Sequence, residues 1–249
     1  MRTVVLQSQK PGPLPAWQRH CCDSVRAWAK ARDFDYQFCG DELFRRLPPR
    51  LREKLREQPV VGTDLARLLW LRDNLQSGYD RAIWADADLL IFRPFDPPAA
   101  DHAFGREIWV QARGDGLHSY RRIHNAWLQF EAGNAILPFY IDRALAMLTT
   151  VRMPVVPQFI GPKLLSALHN IVGFNVEERV GMLSPLAMRD LLSGGGEALE
   201  ELRQGHEAPL CALNLCASYV NRESDGVCHD DEAYLHAAQR LLEAGAIPA

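Results

Sequence analysis

The segment YDRAIWADADLLIF, residues Tyr79–Phe92, combines the apolar pattern of a strand with two aspartates placed one residue apart. Buried carboxylates are costly unless a cation or hydrogen-bond donors pair with them. No lysine or arginine lies between Arg81 and Arg93 to pair with Asp86 and Asp88. The segment therefore predicts either a strand that ends at the surface or a carboxylate pair that binds a cation.

The segments before this strand alternate between strand and helix patterns. TVVLQ (residues 3–7) and FDYQFCGD (residues 34–41) have the β-branched and alternating patterns of strands. Residues 16–32 and TDLARLLWLRDNL (residues 63–75) have helical periodicity, and Thr63 is placed to cap the second helix. This order is typical of a mainly parallel sheet flanked by helices.

The second half of the chain continues the mixed pattern. Strands are predicted at EIWVQAR, before a turn at Gly133–Asn134, and late in the chain in VGMLSP and PLCALNLC. Helices are predicted over about residues 138–148, in a segment with Pro162 in its first turn, and in a short polar segment after SGGG. We therefore predict one α/β domain over residues 1–249.

The composition is that of an ordinary globular protein. The 249 residues are 47% hydrophobic and 24% charged, with a net charge of -3. This balance indicates neither nucleic acid nor an anionic membrane as a partner. No apolar run approaches the ~18 residues of a membrane span, and the amino-terminal residues do not have the pattern of a signal peptide. We therefore expect no transmembrane segment and a cytoplasmic location.

The six cysteines form no C-x-x-C pair and no regular framework. Reduced thiols that pack as small apolar groups are the expected state. The alternative is a zinc site formed by Cys211, Cys216, Cys228 and His229, although these spacings fit no common zinc pattern.

A basic stretch at residues 42–59, ELFRRLPPRLREKLREQP, contains six lysines and arginines and three glutamates. Such a run is typical of a solvated helix face, and the alternative is a site for phosphate or an anionic acceptor.

The spacing of Asp86 and Asp88 has a chemical meaning if the strand continues through both residues. Residues i and i+2 of a strand point to the same face, so the two like charges would repel unless a cation lay between them. Mg²⁺ and Mn²⁺ bind carboxylate oxygens together with substrate phosphates. The carboxyl end of a parallel strand is also where open α/β sheets bind ligands. The pair therefore predicts a site for a metal-bound diphosphate.

Several blocks, in order, resemble the D-x-D glycosyltransferases of the GT-A fold, especially glycosyltransferase family 32 and its relatives: α-mannosyltransferases, capsular polysaccharide sugar transferases and, more distantly, clostridial glucosylating toxins. The blocks are VVLQSQKPGPLP, SVRAWAKARDFDYQFCGDELF, TDLARLLWLRDN, YDRAIWADADLLIF, HNAWLQFEAGNAILPF and IGPKLLSALHN. The resemblance implies a Rossmann-like GT-A domain, with a nucleotide-binding half in residues 1–92, an acceptor and sugar-binding half in residues 93–249, and a role in polysaccharide biosynthesis.

The resemblance also implies roles for individual residues. Asp88 would bind Mn²⁺ or Mg²⁺ directly, and Asp86 would bind it through water or reach the ribose. Asp64 would contact hydroxyls of the donor, Arg67 the donor end of the site and Asn125 the transferred sugar. The rest of the nucleotide-sugar site would be Gln7, Ser8 and Gly161. Each residue also has a purely structural interpretation, as a strand end, a turn, a helix start or a local ion pair.

The match is weaker where the family has an H-H-x-x-G-S-W block that supplies a third metal ligand. The corresponding stretch here is LNLCASY, so the resemblance gives Asn214 the ligand position, with Ser218 and Tyr219 in place of the family's Ser and Trp. An asparagine oxygen can bind Mn²⁺ or Mg²⁺. His229 is a second candidate.

The combined pattern predicts a metal-dependent hexosyltransferase that moves a sugar from a UDP- or GDP-sugar to a glycan, lipid-linked or small-molecule acceptor, with retention at the anomeric carbon. One alternative is a sugar nucleotidyltransferase, although a Gly-rich basic phosphate loop does not follow the first strand. Another is a catalytically silent nucleotide-sugar-binding protein, which the intact Asp64, Arg67, Asp86 and Asp88 disfavour.

Overall fold

The computed structural model describes residues 1–248, which form nine strands and eight α-helices. The strands are β1 (Thr3–Ser8), β2 (Asp35–Cys39), β3 (Arg81–Ala85), β4 (Leu89–Ile91), β5 (His102–Arg113), β6 (Gly116–Glu131), β7 (Val176–Glu177), β8 (Val180–Met182) and β9 (Ala212–Asn214). The helices are α1 (Ala16–Ala31), α2 (Pro49–Lys54), α3 (Pro59–Gln76), α4 (Ile136–Thr150), α5 (Pro162–Val172), α6 (Pro185–Ser193), α7 (Glu197–Gln204) and α8 (Asp231–Ala244). Short 3₁₀ segments occupy Asp41–Arg46 and Ala217–Tyr219.

The main sheet has six strands in the order β2-β1-β3-β6-β5-β7. Strand β1 pairs in parallel with β2 and β3, and β5 pairs in parallel with β7, whereas β6 is antiparallel to both of its neighbours. A second sheet has the order β4-β9-β8. The predicted α/β domain with a central sheet flanked by helices is therefore confirmed, and its main sheet is mixed, with three of five neighbouring pairs parallel.

Helices cover both faces of the central strands because successive strand residues point in opposite directions. Val4 and Leu6 of β1 belong to the apolar cluster that includes α3, whereas Val5 belongs to the cluster that includes α1. Strands buried on both faces read as continuous apolar runs, as TVVL does. A third cluster joins α6, α7 and α8 to β5 and β9. None of the helices within residues 1–248 is long and apolar enough to cross a membrane.

The segment Tyr79–Phe92 forms two strands separated by the aspartates, so the first strand ends just before Asp86, as one of the two sequence-based alternatives requires. Strand β3 ends at Ala85, residues 86–88 form a turn closed by the Leu89 N–H and the Asp86 carbonyl at 3.0 Å, and β4 then joins the second sheet. Apolar residues continue on either side of the turn because both strands are buried.

The start of α3 also differs from the sequence-based prediction. The helix begins at Pro59, so Thr63 lies inside its second turn and does not cap it. Proline is favoured in the first turn because its fixed φ suits the helix and its missing N–H would have no partner there.

The basic stretch at residues 42–59 includes one side chain with a defined structural role. Lys54 Nζ donates to the carbonyl oxygens of Leu148 at 2.6 Å, Thr149 at 3.3 Å and Val151 at 2.7 Å. These carbonyls lie at the carboxyl-terminal end of α4, where helix carbonyls lack partners within the helix. The exposed Arg56 pairs with Glu53 and Glu57 on the protein surface.

Candidate functional site

The parallel strands β1 and β3 both end at a cleft of about 670 Å³. The loop of residues 8–15 forms one wall, Arg67 and Trp84 lie on another side, and Asp86 and Asp88 line the cleft beside them. The cleft therefore lies at the carboxyl ends of parallel strands, the usual ligand position in an α/β sheet.

The aspartate turn is fixed to the main sheet by its backbone. The Asp86 N–H donates to the Ala126 carbonyl of β6 at 2.9 Å, which extends the β3–β6 ladder by one bond. Gln7 Nε2 donates to the Asp86 carbonyl at 3.1 Å from the other side. The turn therefore starts from a fully bonded backbone position.

The Asp86 side chain is held through one of its two oxygens. Oδ1 accepts hydrogen bonds from Trp84 Nε1 at 2.6 Å and from Arg67 Nη1 at 3.0 Å. Oδ2 accepts no hydrogen bond from the protein within residues 1–248, and the side chain is 24% exposed. Asp86 thus has one oxygen anchored and one available to a ligand in the cleft.

Arg67 is the centre of a buried network beneath this turn. Its Nη2 lies 3.0 Å from Asp64 Oδ1, and its Nη1 donates to the Asn125 carbonyl at 2.8 Å. Asn125 Nδ2 also donates to Asp64 Oδ1, at 2.8 Å. The structure therefore brings together Asp64, Arg67, Asp86 and Asn125, which lie on three separate segments of the chain.

Burial changes the ionisation of this network. It raises the pKa of Asp64 to about 6, because desolvation of the carboxylate outweighs the attraction of Arg67. The charges of Asp86 and Asp64 keep the pKa of Arg67 above its ordinary value despite burial, so its guanidinium remains charged.

Gly161 brings the backbone close to Asp64 and Asn125, and its predicted contact with the sugar stays a prediction. A Cβ atom there would lie 2.5 Å from Asp64 Oδ2 and 2.7 Å from Asn125 Nδ2. Gly161 precedes α5, whose first residue is Pro162. Only glycine therefore fits against the Asp64–Asn125 pair without displacing it.

Asp88 connects the cleft to the second sheet. Its Oδ1 accepts from Asn214 Nδ2 at 2.7 Å and its Oδ2 from the Ala217 N–H at 2.8 Å. Burial, together with the like charge of Asp86, raises the pKa of Asp88 above its ordinary value. A cation near both carboxylates would offset this repulsion.

Asn214, the predicted third metal ligand, directs its amide nitrogen toward Asp88. Its Oδ1 accepts the Cys216 N–H at 2.8 Å, so both ends of the amide have protein partners. In this arrangement Asn214 orients the Asp88 carboxylate, and a ligand role would require the amide to turn. The third ligand stays a prediction.

The carboxylate pair nevertheless fits a divalent cation that is shared with a substrate. Within residues 1–248, no three histidine, cysteine, aspartate or glutamate side chains are arranged as a metal site. Mg²⁺ commonly binds proteins through one or two carboxylates and completes its coordination with water and substrate phosphates. Asp86 and Asp88 therefore suit a metal-diphosphate better than a metal held by protein alone.

Gln7 and Ser8 occupy different positions relative to the cleft. Gln7 is fully buried, its Oε1 accepts the Tyr36 hydroxyl at 2.8 Å, and its Nε2 supports the Asp86 turn, so its contact with a nucleotide stays a prediction. Ser8 lines the cleft, as its predicted role requires.

Sequence reasoning did not single out three residues that line the cleft: Lys10, Trp17 and Asp231. Lys10 is exposed and adds a positive charge to the loop after β1. Trp17 Nε1 donates to Asp231 Oδ1 at 2.6 Å, which links α1 to the first turn of α8. The only sequence signal for Lys10 was its position directly after the first strand.

The remaining candidates lie elsewhere. His229 Nε2 lies 3.0 Å from the Pro185 carbonyl, a structural contact. Cys211, Cys216 and Cys228 are free thiols, and the alternative zinc site does not form among residues 1–248.

No known family model matches the chain, and no curated protein matches it. Among solved structures, the chain is similar to a glycosyltransferase involved in glycosylation of the major capsid of PBCV-1, with a TM-score of 0.49 and 10% identity over 95% of this chain and 98% of that chain. It is also similar to the galactosyltransferase LgtC in complex with donor and acceptor sugar analogues, with a TM-score of 0.46 and 14% identity over 95% of each chain. Likenesses of this size do not by themselves assign an activity.

Proposed function

We propose that the chain is a metal-dependent glycosyltransferase of the GT-A type, which transfers a sugar from a nucleotide-sugar donor to an acceptor hydroxyl. The proposal is carried by the position of Asp86 and Asp88, which adjoin the end of β3 at the wall of a cleft of about 670 Å³. This volume is within the range of small-molecule sites, and the carboxylate pair suits a metal-bound diphosphate.

Asp86 and Asp88 would hold Mg²⁺ or Mn²⁺ together with the diphosphate of a UDP- or GDP-sugar. The cation, when bound, supplies charge stabilisation for the departing nucleoside diphosphate. For this purpose Asp86 has one oxygen that accepts no hydrogen bond from residues 1–248, whereas both oxygens of Asp88 already accept one hydrogen bond each.

The protein's own residues would position the donor. Arg67 fixes the Asp86 carboxylate and keeps its positive charge beside the cleft, and Lys10 adds a second positive charge for the phosphates. Asp64, Asn125 and the backbone at Gly161 would set the place of the transferred sugar. Such positioning, with charge stabilisation, can account for most of the rate of a sugar transfer.

The transfer forms a bond between the anomeric carbon and the acceptor oxygen, and it breaks the bond between that carbon and the diphosphate. In the predicted retaining reaction, the departing diphosphate accepts the proton of the acceptor hydroxyl. Retention, the relation to family 32, a role in polysaccharide biosynthesis and a cytoplasmic location all stay predictions from the sequence.

A thermal-shift panel tests donor binding. UDP, GDP, CMP and dTDP, with their sugars, would be added with and without Mn²⁺ to the wild type, to Asp86→Asn and to the control Asp142→Asn. Asp142 is exposed on α4 and pairs with its neighbour Arg143. We expect one nucleotide class to raise the melting temperature in a Mn²⁺-dependent way in the wild type and the control only. No shift with any nucleotide would contradict the proposal.

The two alternatives differ in their products. A sugar nucleotidyltransferase would release pyrophosphate from a nucleoside triphosphate and a sugar phosphate, and a silent binding protein would bind the nucleotide-sugar without turnover. The loop after β1 contains one lysine and one glycine among three prolines, which differs from a Gly-rich phosphate loop. This observation disfavours the nucleotidyltransferase, and turnover separates the glycosyltransferase from a silent binding protein.

A further inference from the structure

One face of the β5–β6 hairpin carries polar and aromatic side chains that the core does not use. Directly opposed residues of an antiparallel pair project from the same face. The register places Trp109 opposite Tyr120 and Glu107 opposite Arg122. The alternate residues Ile108 and Val110 of β5 point the other way, into the apolar cluster with α6 and α7.

Aromatic rings continue across this face, which we call the hairpin platform and define as Glu107, Trp109, Tyr120, Arg122 and Tyr219. The Trp109 and Tyr219 ring centroids lie 5.2 Å apart, and the Arg122 guanidinium lies 5.1 Å from the Tyr120 ring. Trp109, Tyr120 and Tyr219 are all half-buried, and Arg122 is exposed. The platform therefore presents ring surface and charged groups to solvent together.

The platform is continuous with the cleft. Tyr219 ends the 3₁₀ segment that begins at Ala217, and the Ala217 N–H donates to Asp88 Oδ2 at 2.8 Å. Ala217, the first residue of this segment, and Val220, which directly follows it, both line the cleft. A molecule on the platform would therefore lie beside the predicted diphosphate site.

Glu107 is the most unusual member of the platform. Burial raises its pKa to about 7, although the positive charge of Arg122, directly across the strand pair, acts to lower it. A carboxyl so placed can accept a hydrogen bond from a ligand hydroxyl and, when protonated, donate one.

We propose that the hairpin platform binds a sugar ring of the acceptor, so that the acceptor is a glycan and not a lipid-linked or other small molecule recognised by its aglycone. The C–H face of a sugar ring would lie on the electron-rich faces of Trp109 and Tyr219, while Glu107 and Arg122 would bind its hydroxyls. A surface for an acyl chain would lack these charged groups. This inference rests on the proposed function, because it supplies the acceptor for the same cleft.

The test is a binding measurement with defined saccharides. Methyl glycosides of glucose, galactose, mannose and N-acetylglucosamine, together with lactose and maltose, would be titrated by saturation-transfer NMR against the wild type, Trp109→Ala, Glu107→Gln and Phe139→Ala. Phe139 is an exposed aromatic residue on α4 and serves as the control. We expect at least one saccharide to bind, and its affinity to fall about tenfold in Trp109→Ala and to fall in Glu107→Gln, but not in Phe139→Ala.

Donor binding distinguishes the two ways in which the experiment can fail. If a nucleotide raises the melting temperature but no saccharide binds, or if a saccharide binds equally to the wild type and both platform variants, the platform inference is overturned and the proposed function stands. If no nucleotide binds either, the proposed function fails as well. Glu107→Gln, which changes no backbone or ring contact, carries the test if Trp109→Ala does not fold.

Discussion

At the scale of single residues, the site depends on how the protein compensates buried carboxylates. Asp64 and Asp86 share one guanidinium, that of Arg67, whereas the hydrogen bonds to Asp88 from the described part of the chain come from neutral N–H donors. Neutral donors stabilise a carboxylate less than a cation does. The site is therefore more favourable to a bound cation than a set of fully paired carboxylates would be.

The raised pKa of Asp64 predicts a pH dependence of stability. Because the folded-state pKa of about 6 lies above the ordinary value of 3.8, the folded protein holds this proton more strongly than the unfolded chain does. The contribution of Asp64 to the free energy of unfolding therefore falls by on the order of 3 kcal/mol as pH rises from about 4 to about 6. Urea unfolding of metal-free protein between pH 4 and pH 8 should show a flatter dependence in Asp64→Asn than in the wild type. Equal slopes would contradict the assignment.

Gly161 gives a second prediction, about steric fit. A methyl group there would meet Asp64 Oδ2 and Asn125 Nδ2, so Gly161→Ala should lower the free energy of unfolding by about 1–3 kcal/mol and weaken nucleotide binding. Gly116→Ala is the matched control, because a Cβ at Gly116 meets nothing within 4 Å. The same unfolding midpoint for both variants would show that the contact is not tight.

At the scale of elements, Asp88 joins the aspartate turn to β9 and to the following 3₁₀ segment. The Asp88 carbonyl also accepts the Leu215 N–H at 2.9 Å. Asp88→Ala would leave the Ala217 N–H and Asn214 Nδ2 without their acceptor, at about 1–3 kcal/mol for each buried group. Chemical denaturation should therefore show a larger loss of stability for Asp88→Ala than for Asp86→Asn, which keeps an acceptor oxygen for Arg67 and Trp84. The reverse order would refute a structural role for Asp88.

The end of α4 provides another prediction at this scale. Lys54 places a positive charge at three carbonyls near the helix terminus, where it also complements the helix dipole. Lys54→Met should lower the free energy of unfolding by about 1–2 kcal/mol. Arg56→Met, which removes an exposed charge two residues away, should change it little. Similar losses in the two variants would indicate that Lys54 acts only as a surface charge.

At the scale of the whole molecule, the helices and strands that can be predicted from the sequence are those determined by local residue patterns. Helix α1 and strand β1 follow their periodicity closely, and Pro162 lies at the predicted start of α5. The start of α3 was misplaced because Thr63 and Asp64 resemble a helix cap, although Asp64 in fact contacts Asn125 and Arg67.

Contacts between distant segments account for what the sequence does not reveal. The Asp88–Asn214 bond joins residues 126 positions apart, and only the fold shows which end of the Asn214 amide faces Asp88. The apolar run through β3 and β4 likewise contains no sign that the two strands belong to different sheets. The sequence does not reveal the hairpin platform for the same reason, because Tyr219 and Trp109 come into contact only in the folded chain.

The measurement that tests the central claim most directly is the release of nucleoside diphosphate from nucleotide-sugars. The protein would be incubated with UDP- and GDP-sugars and Mn²⁺, with the saccharide panel as acceptors, and the products would be quantified by chromatography for the wild type, Asp86→Asn and Asp142→Asn. We expect one nucleotide-sugar to yield its nucleoside diphosphate and a glycosylated acceptor, with a loss of about 100-fold in Asp86→Asn and none in Asp142→Asn. Binding of the nucleotide-sugar without release of nucleoside diphosphate, or formation of pyrophosphate from a nucleoside triphosphate and a sugar phosphate, would contradict the account.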